Sequence, residues 1–172
     1  RQIISPARDY VFAYDLSGKQ IWKSHYPGGY SVVPRPLYAN GLIYVSSGYD
    51  RPVVYAVRPT GSGDVTETHI VWKTDKNAPH NSSPIVVGDL FFMAADTGVV
   101  SCLNARSGEL IWRERVARQT SSSLLHASGR IYLIDEQGKT YVFVATKTYK
   151  LLAENDLADR ALASFAASDG AL

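Results

Sequence analysis

The chain has 172 residues, 45% of them hydrophobic and 20% charged, and a formal net charge of +2. This balance fits a folded domain with a real core and argues against disorder, while the lack of any basic block or arginine stripe argues against nucleic acid or an anionic membrane as partner. No apolar run approaches the ~20 residues of a membrane helix, and the single cysteine, Cys102, permits neither an intrachain disulfide nor a thiolate metal cluster.

The first residues, "RQIISPARDYV", begin without methionine and lack a signal-peptide layout, so the chain reads as a processed or excised piece. From there onward strand signals dominate. In chain order they are 41–47 "GLIYVSS", 52–57 "PVVYAV", 69–73 "HIVWK", 82–87 "SSPIVV", 89–95 "DLFFMAA", 99–104 "VVSCLN", 109–114 "ELIWRE", 130–135 "RIYLID" and 140–145 "TYVFVA". All are short and rich in β-branched or aromatic residues. Turn pairs such as Asn40-Gly41, Gly88-Asp89, Ser107-Gly108, Ser128-Gly129 and Gln137-Gly138 separate them, which predicts antiparallel meanders. The segment 58–69, "RPTGSGDVTETH", reads as an exposed loop. The one helix-like stretch, 153–163 "AENDLADRALA", reads as a connection with at most one short turn.

The segments repeat. "LYANGLIYVSS", "IVVGDLFFMAA" and "LLHASGRIYLI" share one pattern, and "AASDGAL" at the C-terminus begins it again. Their turn positions are Gly41, Asp89, Gly129 and Gly170, at steps of 48, 40 and 41 residues. Trp22, Trp72 and Trp112 follow with steps of 50 and 40, and a further 41 lands on Ala153, where the tryptophan is lost. About 40 residues and four short strands per repeat predict a β-propeller blade. The expected fold is all-β, a partial propeller of about three complete units plus fragments. Approximate boundaries are 1–35 (partial), 36–81, 82–121, 122–163 and 164–172 (partial). Three units and fragments do not close a ring of the usual four to eight blades. Neither "YVFAYDL" nor "SFAASDGAL" forms a polar cap, so the expectation is either a fan-shaped fragment with apolar surface at both ends or end-to-end self-association in which another copy covers them.

The run "CLNARSGELIW" resembles the tryptophan-docking motif of pyrroloquinoline-quinone (PQQ)-like propeller repeats, Ala-x-Asp-x-x-Thr-Gly-x-x-x-Trp. Cys102, Asn104 and Ser107 stand for its alanine, aspartate and threonine, and Gly108 and Trp112 match it. "AYDLSGKQIW" carries Ala13, Asp15, Gly18 and Trp22, one residue short. The longer stretch from "YPGGYSVVPRPLYANG" to "RPTGSGDV" resembles bacterial, planctomycete-type PQQ-binding-like propellers. The propeller lipoprotein of outer-membrane assembly is a more distant relative in repeat type. The resemblance implies a secreted or periplasmic location and structural, blade-docking roles for Trp22, Trp72, Trp112, Gly18 and Gly108.

No peptide motif for nucleophilic, metal-dependent or phosphate chemistry occurs, so no catalytic, cofactor or metal residue is assigned. The expected function is a non-catalytic binding or scaffold module, with other proteins or a small ligand as partner. The resemblance also implies two alternatives. One is a quinoprotein dehydrogenase holding PQQ with calcium, its site lying outside this chain. The other is an envelope-assembly scaffold. The residues offered to a ligand sit just before the innermost strands, where every blade of a propeller meets the axial mouth. They are Arg35, His80, Asn81, Thr120 and Ser121. A hydrated polar lining is the structural reading of the same residues, and His25, His69 and His126 lie at other blade positions. Tyr49, Asp50 and Arg51 are expected in a loop packed on its own blade.

Overall fold

The computed structural model describes residues 1–168. The expected turn at Gly170 lies outside them. Sixteen strands and one short helix occur among these residues. The strands are β1 (Ile3–Pro6), β2 (Tyr10–Tyr14), β3 (Gln20–His25), β4 (Leu37–Ala39), β5 (Leu42–Ser46), β6 (Val54–Val57) and β7 (Gly63–Asp64), then α1 (Thr66–His69) and β8 (Ile70–Thr74). They continue as β9 (Ile85–Val87), β10 (Leu90–Ala94), β11 (Val99–Asn104), β12 (Leu110–Arg115), β13 (Leu125–Ala127), β14 (Arg130–Ile134), β15 (Lys139–Val144) and β16 (Leu151–Asp156).

These strands form four four-stranded sheets. Three are consecutive antiparallel meanders, β4-β5-β6-β8, β9-β10-β11-β12 and β13-β14-β15-β16, here called blades II, III and IV. Blade I has the order β1-β2-β3-β7. The fold is a partial β-propeller. Its first hairpin in each complete blade is closed by residues that accept positive φ. Asn40 and Gly41 stand at 53° and 75°, and Ser128 and Gly129 at 49° and 72°, the signature of a two-residue turn that follows the strand twist.

Register repeats from blade to blade. The outer-strand position pairs with a small or β-branched residue of the third strand: Ala13 with Trp22, Ala56 with Trp72, Cys102 with Trp112, and Val142 with Ala153. A bulge follows immediately after that pair in all four blades. The extra residue increases local twist and re-aims the outer strand. A small partner leaves the sheet face open beneath each ring.

Three apolar clusters fill the spaces between adjacent blades. Val11, Ala13 and Trp22 of blade I meet Ile43, Val45, Tyr55 and Val57 of blade II. Tyr44, Ala56 and Trp72 of blade II meet Phe91, Met93 and Leu103 of blade III. Phe92, Val100 and Cys102 of blade III meet Ile131, Leu133 and Phe143 of blade IV. A strand covered on both faces needs apolar side chains at every position, so β5 and β10 read "LIYVS" and "LFFMA" without alternation, and both are wholly buried.

Two expectations are corrected. Segment 58–69 is mostly exposed, but it is a built strap: β7 pairs in parallel with β3, Val65 is buried, and α1 returns the chain to β8. The Val65 N–H donates to the Lys23 carbonyl at 2.9 Å, and the His25 N–H to Thr66 Oγ1 at 2.8 Å. Helical hydrogen bonding thus appears in the insertion rather than at 153–163. There, Leu151–Asp156 forms the outer strand β16 against β15, because the hairpin register outweighs the helix propensity of "LLAEND".

Candidate functional site

Innermost strands β4, β9 and β13 are edge strands toward the axis, and the chain reaches each through a crossover from the preceding blade. At that same end lie the turns joining second to third strands, residues 47–53, 95–98 and 135–138. Crossovers and turns are sewn together. The Thr120 N–H donates to the Asp96 carbonyl at 3.0 Å, and the Glu136 N–H to the Gln119 carbonyl at 2.8 Å.

The expected ligand residues separate into three groups. His80 and Asn81 gather on Asp96. Its carboxylate accepts the His80 N–H at 3.1 Å, the Asn81 N–H at 3.3 Å and the Asn81 side-chain amide at 2.5 Å, with His80 Nδ1 at 3.9 Å. One blade on, Ser121 Oγ donates to Glu136 Oε1 at 2.6 Å. Asn81–Asp96 and Ser121–Glu136 are therefore the same pair displaced by 40 residues. Neither carboxylate was picked out by the sequence reading; the shared step between 96 and 136 was its only trace.

Thr120 does not face the mouth. It is fully buried, and its hydroxyl donates to the Ile134 carbonyl at 2.7 Å, beside Ser122, which uses the same acceptor at 2.8 Å. Its polar group is spent inside the fold. Arg35 is also displaced: it corresponds to Ser83 and Ser123, not to Thr120 or Ser121. The Arg35 N–H donates to Ser83 Oγ at 3.0 Å, Ser83 N–H to Ser123 Oγ at 3.0 Å, and Ser123 N–H to Ser164 Oγ at 2.8 Å. Serines at steps of 40 and 41 thus staple each innermost strand to the next. Arg35 itself is exposed and brings no hydroxyl to the series.

Tyr49 does not pack on its own blade. The turn that carries it is three residues longer than its counterparts, with Asp50 at φ 77° and Gly48 at 84°. It reaches both neighbouring crossovers. The Tyr49 N–H donates to the Tyr30 carbonyl at 2.7 Å, and its ring meets Tyr30 edge-on at 6.2 Å and His80 at 5.9 Å. Tyr30 and Tyr49 remain about three-fifths exposed, at 61% and 59%. They border a cleft of about 400 Å³ lined by Arg8, Asp9, Gly28, Gly29 and Asp50. A second cleft, of about 460 Å³, lies against Asp96, Arg115 and Arg118.

The tryptophans lie at the blade joints. Trp22 is fully buried, Trp72 is 8% exposed and Trp112 is half-buried. Trp72 Nε1 donates to the Ala105 carbonyl of blade III at 2.9 Å, and Trp112 Nε1 to the Thr146 carbonyl of blade IV at 3.0 Å. Trp22 Nε1 donates instead to Gln2 Oε1 at 3.2 Å, and the Gln2 amide donates to the Pro59 carbonyl at 3.1 Å. Pro59 occupies the place of Ala105. The insertion that follows it leaves the indole one side chain short, and Gln2 makes up the gap.

The described residues do not fit a calcium–quinone pair. Among them, no three His, Cys, Asp or Glu side chains come together to hold a metal ion. Asp96 and Glu136 are engaged by their own blades, and Cys102 is buried at a blade joint, where burial pushes its thiol up to about 12.

Comparison with known proteins places this geometry in a family. Residues 64–171 match the PQQ-like repeat family described as outer membrane protein assembly factor BamB. The chain belongs to that family. BamB of Escherichia coli is 26% identical over 90 residues, which cover 52% of this chain and 22% of that protein. The chain therefore spans about a fifth of the length of the curated relatives it matches. Among solved structures, the computationally designed Ika8 protein is similar over 94% of this chain and 48% of its own, with TM-score 0.73 and 13% identity. A quinohemoprotein alcohol dehydrogenase from Comamonas testosteroni is similar over 90% of this chain and 34% of its own, with TM-score 0.68 and 11% identity. At such identities these two likenesses concern the fold alone. Among the described residues, no helix of this BamB-family chain is long and apolar enough to cross a membrane.

Proposed function

We propose that this chain is a section of a non-catalytic, protein-binding propeller scaffold of the bacterial envelope, secreted or periplasmic. Its tryptophans act as blade-docking residues, and its partner-facing surface is the blade end that carries Tyr30, Tyr49 and His80. The observation that carries the reading is this exposed aromatic group on a lengthened turn, in a chain of the BamB family. Aromatic side chains offer large, rigid contact area and are enriched where proteins meet. His80 and Asn81 hold the platform from below through Asp96, so the rings are displayed on a fixed base.

A photo-crosslinking residue at position 49, in the full-length parent protein in its own cells, tests this reading. The expected result is a discrete adduct with another envelope protein, lost when Tyr30 is changed to Ala. The same residue at position 40, on the opposite blade end, should give none. Reconstitution with PQQ and calcium that yields dye-linked alcohol oxidation, with no adduct from position 49, would replace this reading with the dehydrogenase one.

A further inference from the structure

We propose that the outer edge of blade III, strand β12, takes up an extended acidic segment of a partner protein as a parallel fifth strand. The site lies apart from the tyrosine platform, and its test involves neither Tyr30 nor Tyr49.

The template lies within the molecule. On blade I, β7 runs parallel along the outer strand β3, with Gly63 opposite Trp22 and Asp64 opposite Lys23. The Tyr26 N–H donates to the Asp9 carbonyl at 3.0 Å, so alternation along the β2–β3 ladder turns the backbone groups of Lys23 and His25 outward. The strap uses both. The Lys23 carbonyl accepts the Val65 N–H, and the His25 N–H donates to Thr66 Oγ1. Lys23 Nζ also stands 3.8 Å from the Asp64 carboxylate. Four residues in a row, Gly-Asp-Val-Thr, seat the chain on this edge.

Blade III offers the same edge without a strap. Among the described residues β12 pairs with β11 alone and ends its sheet. The Val116 N–H donates to the Gly98 carbonyl at 3.1 Å, the counterpart of Tyr26 on Asp9. The same alternation therefore turns the backbone of Arg113 and Arg115 outward, as it does that of Lys23 and His25.

Charge singles out this blade. At the two outward positions, one and three residues after the tryptophan site, blade II carries Lys73 and Asp75, blade III Arg113 and Arg115, and blade IV Glu154 and Asp156. Of these, blade III alone presents two cations. Arg113 Nε donates to Ser101 Oγ at 3.1 Å and Arg115 Nη1 to the Thr97 carbonyl at 2.7 Å. Those acceptors are neutral, so they fix the side chains and leave both charges to a partner.

A chain running parallel to β12 passes Arg115 into the cleft of about 460 Å³ beside Arg118, Gln119 and Asp96. In blade I the strap turns into α1 at the corresponding point. Arg118 is exposed, whereas the Asp96 carboxylate is taken up by His80 and Asn81. The charges that keep a basic edge away thus favour an acidic segment. It has a small residue opposite Trp112, an acid opposite Arg113 and further acids toward Arg118. Main-chain hydrogen bonds supply the affinity, and the arginines supply the choice.

The test uses the full-length parent protein and a fluorescein-labelled peptide copying residues 60–67 of the strap, Thr-Gly-Ser-Gly-Asp-Val-Thr-Glu. The expected result is a saturable rise in anisotropy at peptide concentrations up to about 1 mM, with slower amide exchange across 110–116. Arg113→Glu should weaken binding about tenfold or more, and a peptide with lysine in place of the aspartate should restore it on that variant. Arg115→Pro removes an outward N–H and no bond of the β11–β12 ladder, so it should abolish binding, while Arg115→Ala keeps most of it. The charge exchange at position 113 decides even if the proline disturbs the blade. No binding at about 1 mM, equal binding by Arg113→Glu, or protection at 20–25 instead of 110–116 would overturn the proposal. So would amides at 113 and 115 that exchange as slowly as those at 112 and 114 before peptide is added, since the edge would then already be covered.

Discussion

The ring of Trp72 occupies the space that a side chain at position 108 would need: a Cβ on Gly108 would stand 2.7 Å from the indole. The glycine of one blade's turn and the tryptophan of the preceding blade's outer strand form a single joint, closed by the indole N–H on the Ala105 carbonyl. Gly108 and Trp112, neighbours in sequence, serve opposite faces of the same blade.

Gly108→Ala and Gly18→Ala separate the joint from the turn. Both residues have positive φ, 73° and 86°, which costs an L-residue about 1–2 kcal/mol. Only Gly108 also meets a ring, which adds about 1–3 kcal/mol of overpacking. Urea denaturation of the dilute monomer should rank Gly108→Ala clearly below Gly18→Ala. Equal losses would mean that the ring does not rest on the glycine.

Truncating the tryptophans should follow burial. Trp72→Ala removes a ring buried between two blades and should cost about 3–5 kcal/mol. Trp112→Ala, half-buried against Phe92, Phe143 and Tyr149, should cost measurably less. Thermal melts of the two variants check the order.

Removing a staple should be mild. Ser83→Ala and Ser123→Ala each take away one hydroxyl acceptor between neighbouring innermost strands and should lose about 1 kcal/mol. A loss near zero in denaturant titration would show that water replaces the hydroxyl without cost.

Alkaline pH should loosen the fold through its buried phenols. Burial pushes Tyr26 from 10.0 up to about 12. The unfolded chain ionises first, so this contribution is fully present below pH 10 and is lost as pH rises from 10 to 12. Burial raises Tyr141 to about 12 as well. Tyr26→Phe should therefore flatten, without abolishing, the fall of stability with pH in that window. Cys102, raised from 9.0 to about 12 by burial, should resist a thiol reagent at pH 8 until the protein is unfolded.

Most of the fold was legible because each blade repeats its own local signals. The Asn40-Gly41 and Ser128-Gly129 turns fix hairpins, and runs such as "DLFFMA" show strands covered on both faces. What escaped depends on contacts between distant segments. Gly63–Asp64 is a strand only because β3 offers it an edge. "LLAEND" has helix-forming composition and becomes β16 through pairing with β15. At the candidate site, His80 and Asn81 were found by their place before an innermost strand, but Asp96 and Glu136 sit in turns that look solvent-exposed in sequence. Thr120 was assigned to the mouth because a hydroxyl in "RQTSSS" carries no sign of which way it points. The staple runs through Ser83, Ser123 and Ser164 by way of backbone N–H groups, and sequence does not mark which serine accepts one.

The division between a structural tryptophan joint and a partner-facing tyrosine platform is tested most directly by one comparison. Crosslink yield from position 49 is measured in the full-length protein with and without Trp112→Ala, at a temperature below both melting points. The account expects a lower melting temperature and an unchanged adduct from position 49. A variant that keeps its melting temperature but loses the adduct would contradict it, placing the indole in the binding site rather than in the joint between blades.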